Sequence, residues 1–183
     1  MREGKARYVT AVSQTDIAEG WREHRQSGGC IIDVQSNQVI GTGLSMPHSP
    51  RYYQGKLWLH NSGTGEFGQI DLETGEFIPV AFCPGYLRGL AFSGDFAIAG
   101  LSKPRENKTF AGLRINERLD KEKVQARCGL AVIDLKSGDV VHSLNIDGIV
   151  EELYDVVTLP KIRKTMAIGF RSDEIRRVIS IGE

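Results

Sequence analysis

Three stretches of the chain superimpose on one pattern, and that pattern limits the folds open to it. They are Ile31–Ile40 (IIDVQSNQVI), Gln69–Ile78 (QIDLETGEFI) and Val132–Val141 (VIDLKSGDVV). Each reads apolar–Asp–apolar–x–Ser/Thr–Gly/Asn–x–apolar–apolar. The apolar flanks pack two strands, and the Asp and Ser/Thr side chains can take up backbone N–H groups inside the turn. Gly or Asn after the Ser/Thr takes the positive φ that a tight hairpin needs. Three occurrences predict three β-hairpins.

Spacing extends the reading. Asp33 and Asp71 lie 38 residues apart, Asp71 and Asp134 lie 63 apart, and an insertion over Lys103–Arg127 accounts for the excess of 25. That stretch is rich in Lys, Arg, Glu and Asn, and its Ile115–Ala126 portion is the best helix candidate in the chain. A period of about 40 residues with several short strands per unit predicts an all-β, β-propeller-like fold of four-stranded antiparallel blades. Residues 46–76 form the most complete unit: a polar lead-in over Met46–Arg51, an inner strand over Ser49–Tyr53, then strands Lys56–Asn61 and Glu66–Leu72. Glu76–Phe82 closes that unit.

The remaining strands are predicted by the same logic. Ala6–Val12, then Cys30–Val34 and Gln38–Thr42 around a polar loop (Thr15–Gly29), make a first unit. Arg88–Phe92, Asp95–Leu101, Gly129–Leu135 and Asp139–Asn145 make a third. Leu153–Leu159, Thr165–Phe170 and Arg177–Ile181 begin a fourth. The count is about three and a half blades in one domain over 1–183, short of the usual propeller range of about four to eight. An open arc leaves exposed sheet edges. The expectation is a partial or ring-incomplete domain, closed by missing N-terminal sequence, by a homodimer, or by its own first and last strands.

Composition excludes some classes. Twenty-three basic residues balance 23 acidic ones, so no cationic field for nucleic acid or anionic lipid is expected. MREGKARYV has no apolar signal core, and no run reaches the roughly 18 apolar residues of a membrane helix. Cys30, Cys83 and Cys128 are odd in number and widely spaced. They read as reduced, buried thiols of a cytoplasmic protein.

Several motifs carry a resemblance: Tyr8–Ala11 (YVTA), Thr15-Asp16, Gly20–Arg22 (GWR), Gly43–Arg51 (GLSMPHSPR), Leu57-Trp58 and Ser62–Gly65 (SGTG). It continues through Arg88–Phe92 (RGLAF), Gly100–Ser102 (GLS), Phe110–Leu113 (FAGL) and Glu151–Val156 (EELYDV). Over nearly its whole length the chain resembles an uncharacterised, conserved-hypothetical family of bacterial propeller-like proteins, some of them joined to tetratricopeptide repeats. Members of that family are longer on the N-terminal side, so the resemblance is to their C-terminal half. It implies a propeller fold and brings no established activity.

Aligning the units sets His48–Arg51 beside Leu87–Leu90 and Tyr154–Val157. Innermost strands of a propeller line its channel, where binding loops gather. The candidate ligand-binding residues are therefore His48, Ser49, Arg51, Arg88, Glu152 and Asp155, with Glu151 beside them. Guanidinium forks suit carboxylates or phosphates, so an anionic or zwitterionic small molecule is expected; the alternative is a network that only ties the blades together. His48, held between Pro47 and Pro50, suits a catalytic base or metal ligand, or equally a structural corner. His60, next to Trp58 in a strand, is read as packed or rim-exposed, His24 as a loop residue and His142 as outer-strand. The chain has no His pair at zinc spacing, no CxxC and no GxSxG. Ser62–Gly65 precedes a strand, so it reads as a hairpin turn instead of a phosphate loop. The charged run Asn116–Lys123 reads as a solvated helix face, with a lid or docking element as the alternative.

Two functional readings follow, and the choice between enzyme and non-enzyme stays open. One is a non-enzymatic propeller module binding a small anionic ligand or a protein partner at its channel face. The other is a divalent-metal-dependent, lactonase-like hydrolase in which Glu152, Asp155 and Asn61 would offer oxygen ligands to calcium.

Overall fold

The aspartate turns form as the repeated sequence requires. The structure, a computed structural model, describes residues 4–104, 112–165 and 173. Asp71 Oδ1 accepts the N–H groups of Glu73 (2.8 Å) and Thr74 (3.1 Å). Asp134 Oδ1 does the same for Lys136 (2.7 Å) and Ser137 (3.2 Å), and Asp33 Oδ1 for Gln35 (2.9 Å) and Ser36 (3.4 Å). The Thr74 and Ser137 hydroxyls accept the N–H groups of Glu76 and Asp139. Asn37, Gly75 and Gly138 take φ of 55°, 75° and 79°, the left-handed region where a β-carbon is costly. Asp33 goes one step further, pairing with the Arg7 guanidinium at 2.7 Å. Burial alone would raise its carboxyl pKa; the Arg7 hydrogen bond and the turn N–H groups outweigh that and hold it below the ordinary value.

Each turn joins the last two strands of an antiparallel sheet. The first sheet has three strands, β1 (Tyr8–Ala11), β2 (Gly29–Asp33) and β3 (Gln38–Leu44). The second runs in sequence order through β4 (Pro47–Tyr53), β5 (Lys56–Asn61), β6 (Glu66–Ile70) and β7 (Phe77–Phe82). The third repeats that meander with β8 (Tyr86–Ser93), β9 (Phe96–Ser102), β10 (Gly129–Asp134) and β11 (Val140–Asn145). Two helices interrupt this all-β plan among the described residues, α1 (Trp21–His24) within the expected polar loop and α2 (Arg114–Glu122) within the expected insertion. Strand β1 neighbours β4, and β4 neighbours β8, so successive sheets meet at their leading strands. The three sheets do not close on one another among the described residues.

Alternation along β5 explains how the sheets stack. Successive side chains of a strand point to opposite faces, and β5 is covered on both. Leu57 and Leu59 join Ile31, Leu44 and Ile70 between the first and second sheets. Trp58 faces the other way, stacked on Phe67 at 5.2 Å, in a cluster with Leu87, Leu90 and Leu101 of the third sheet. Each such leucine or isoleucine contributes about 1.5–3 kcal/mol when fully buried. Tyr53 and Phe92 add an inter-sheet stack with ring centroids 4.3 Å apart. A third cluster lies under α2, where Leu113, Ile115 and Leu119 bury against Met46 and Tyr86. The opposite side of the helix carries the charges read from the sequence, and Arg118 reaches back to Glu66 at 3.1 Å.

Two expectations change. Met46–Arg51 is no polar lead-in: Met46 is core, and Pro47 onward belongs to β4. Leu153–Leu159 forms no strand. Ser102 Oγ meets the Leu153 N–H and C=O, and Thr158 Oγ1 donates to Phe92 O, with no neighbouring ladder, and the segment lies as a strap over β8 and β9. The fourth unit is thus not begun by a strand over those residues. The expected strand over Thr165–Phe170, Thr165 apart, and that over Arg177–Ile181 lie outside the described residues. All three cysteines are buried and free, and burial pushes the Cys83 thiol up to about 12. Among the described residues no helix is long and apolar enough to cross a membrane.

Candidate functional site

Leading strands β4 and β8 are both interrupted at the same place. Pairing of β4 with β5 slips between His48 and Arg51, and pairing of β8 with β9 slips between Leu87 and Leu90. A bulge of this kind bends a strand and re-aims its side chains. Ser49, inside the first bulge, sits at φ 56°, a conformation costing a non-glycine residue about 1–2 kcal/mol. Its hydroxyl accepts the N–H of Gly89, inside the second bulge, at 3.0 Å. The Gly89 carbonyl receives a hydrogen bond from His60 Nε2, also at 3.0 Å. One residue of the third sheet is thereby fastened twice to the second. Ser62 Oγ adds a parallel link, donating to Leu87 O at 2.8 Å.

The strap closes over this junction. Lys103 N–H donates to Glu151 O at 2.8 Å, and Ser102 Oγ accepts the Leu153 N–H at 3.0 Å. Farther along, Thr158 Oγ1 donates to Phe92 O at 3.2 Å. Between these anchors, backbone atoms of Asp155 and Val156 press on Gly89, where a β-carbon would stand 2.5 Å from Asp155 C and Val156 N. Gly89 itself is at φ 74°, so glycine is required there twice over.

Four of the candidate side chains therefore gather at one place with a fifth from the strap. His48 and Ser49 lie on β4 with Arg51, and Arg88 lies on β8. Arg51 pairs with Asp155 of the strap at 3.2 Å. The Arg88 guanidinium lies over the Tyr154 ring, 5.3 Å from its centroid. Burial, with the Arg88 charge behind it, holds the His48 pKa down at about 4. The imidazole is neutral at neutral pH, so the positive charge expected of this cluster comes from the two arginines. The charge of Glu152, with that of Glu151, is felt at Cys128, whose thiol burial raises and Lys103 lowers.

Three further side chains resolve differently from one another. His60 pairs with His48 across β4 and β5 and is completely buried. Sequence left it as packed or rim-exposed and missed that it bolts two sheets together; its position in the apolar run KLWLHN was the available signal. Asn61 turns its Oδ1 to the Ser45 N–H at 2.7 Å, while Asp155 turns to Arg51. Two of the oxygens proposed for calcium therefore already have protein partners. No group of three or more His, Cys, Asp or Glu side chains among the described residues could hold a metal ion. Ser62–Thr64 is a single 3-10 turn between β5 and β6, the hairpin connection expected.

Comparison with known proteins adds family membership and little else. Curated proteins show no match. Among solved structures, the chain is similar to the computationally designed Ika8 protein, at 14% identity and TM-score 0.44, over 73% of this chain and 35% of that one. It is similar in the same degree to the designed Ika4 protein, at 13% identity and TM-score 0.44, over 74% of this chain and 70% of that one. The chain thus spans about a third of the length of the first of them, and likeness of this degree carries no functional argument. Residues 1–168 match the family described as "Domain of unknown function (DUF4915)", and the chain belongs to that family.

Proposed function

We propose that the three sheets are blades of a β-propeller arc, and that the chain is a non-enzymatic module binding a small anionic ligand on the channel face. The observation that carries this reading is the pair of guanidiniums, Arg51 and Arg88, on the leading strands of neighbouring sheets at bulges joined by the Ser49–Gly89 hydrogen bond. Leading strands that meet in succession, and meanders whose outer turns repeat one sequence, are the arrangement a propeller uses. Arginine forks recognise carboxylate or phosphate, and neutral His48 and the Ser49 hydroxyl supply polar company without opposing charge. The α2 helix is read as a scaffold element because it buries Ile115 and Leu119 in the core.

Titration of the full chain with acetate, malonate and inorganic phosphate by calorimetry tests this. Arg51→Ala and Arg88→Ala are expected to abolish the binding of whichever anion is found, with the far-UV dichroism retained. Unchanged affinity in both variants would place the site elsewhere.

A further inference from the structure

The strap already holds the groups that an anion would need. Asp155 sits on Arg51 at 3.2 Å, and the neighbouring residue, Tyr154, covers Arg88. The pairing is far from locked, because the Asp155 side chain is 67% exposed and that of Arg51 37%. Hydrogen bonds fasten the strap at separated points: Glu151 to Lys103, Leu153 to Ser102, and Thr158 to Phe92. Between Leu153 and Thr158 the Asp155–Val156 backbone is pressed on Gly89 of β8, beside the Tyr154–Arg88 contact, and the Val156 side chain lies against Gly100 of β9.

We propose that Asp155 is an internal stand-in for the ligand and that the 151–158 strap is a displaceable lid whose removal exposes Arg51 and Arg88 together. The proposal rests on the binding reading above. It narrows the ligand to a small dicarboxylate: the group now on Arg51 is a carboxylate, and the two arginines are released by adjacent residues of one segment. A guanidinium exchanging one carboxylate for another loses no hydrogen-bond type, so the exchange is governed by the modest strength of an exposed ion pair. The lid also reports on occupancy, because the amide protons of Lys103 and Leu153 are protected only while the strap is seated.

Malonate is the probe. Calorimetry is run on the full chain, Asp155→Asn and Arg51→Ala, with amide exchange at Lys103 and Leu153 followed by NMR with and without saturating malonate. Asp155→Asn is expected to tighten malonate about two- to fivefold, the range into which the coupling of an exposed ion pair converts. Malonate is also expected to speed exchange of both amides in the unsubstituted chain, and acetate to bind more weakly than malonate. Binding that is lost in Arg51→Ala, yet is not tightened by Asp155→Asn or leaves the two amides unchanged or slowed, overturns the lid while keeping the site. Absence of binding in both the unsubstituted chain and Asp155→Asn overturns the site and the lid with it.

Discussion

His60 Nε2 lies 3.0 Å from the carbonyl oxygen of Gly89, in a place from which solvent is fully excluded. A carbonyl only accepts, so Nε2 carries the proton, and the neutral ring leaves Nδ1 without a partner among the described residues. That single bond ties β5 of the second sheet to the bulge of β8 in the third. It also helps fix Gly89, whose own N–H binds Ser49 and against which the strap packs. The candidate site therefore depends on a histidine that does not line it.

Acid should weaken this tie in a defined window. Burial, ahead of the charges of His48 and Arg51, holds the His60 pKa at about 4, although its bond to Gly89 works the other way. Its unfolded value is near 6.5, so between about pH 6.5 and 4 the unfolded chain binds the extra proton and the folded one does not. The His60 contribution to stability is then complete above about 6.5 and is withdrawn as pH falls, at up to ~1.4 kcal/mol per pH unit. Urea midpoints of the unsubstituted chain and His60→Gln, whose amide can still donate to Gly89 O, should converge as pH falls from 7 to 4. A gap that stays constant over that range would show that His60 titrates freely in the folded state.

Gly89→Ala is the most informative substitution at the junction. Its β-carbon would need the left-handed conformation at φ 74° and would meet the Asp155 and Val156 backbone at 2.5 Å. Conformation costs about 1–2 kcal/mol and overpacking about 1–3, so a loss on the order of 3 kcal/mol is expected. Part of the strain can be relieved by lifting the strap, so the Leu153 amide should exchange faster even where the sheets remain folded. A urea midpoint equal to that of the parent would contradict the packing described.

A second steric lock lies just before β4. The Ser62–Gly65 turn is seated against Ser45, and a β-carbon on Gly63 would stand 1.9 Å from Ser45 Oγ and 2.8 Å from its Cβ. Both Ser45 and Ser62 are buried, and the Gly63 N–H donates to Ser45 O at 2.9 Å. Gly63→Ala should cost about 1–3 kcal/mol. Combining it with Ser45→Gly, which empties the space, should cost less than the two single changes added together. Strict additivity in that double-mutant cycle would mean that the two residues do not meet.

Much of the fold was legible because it is written in short-range chemistry. Asp71, Thr74 and Gly75 meet their partners within five residues, and so do their counterparts at Asp134, Ser137 and Gly138, so three aligned segments suffice to place three hairpins. Ile115 and Leu119, four apart, mark the buried side of α2 in the same local way. The candidate site was legible only in part. Matching β4 to β8 brought Arg51 and Arg88 together, because equivalent strands of equivalent sheets occupy equivalent places. Leu153–Leu159 failed that logic: its place at the start of a fourth unit suggested a strand, while Leu153 is held by Ser102 and Thr158 by Phe92, both distant in sequence.

Sequence by itself determined the strands, their turns and the order in which they fold back, since each of these rests on residues a few positions apart. Only the tertiary structure decided what sits on what. It set His60 on Gly89, the strap on the arginines and α2 in the core. Those pairings join residues 29 to 104 positions apart, and nothing in the local pattern ranks one distant partner above another until the sheets have stacked.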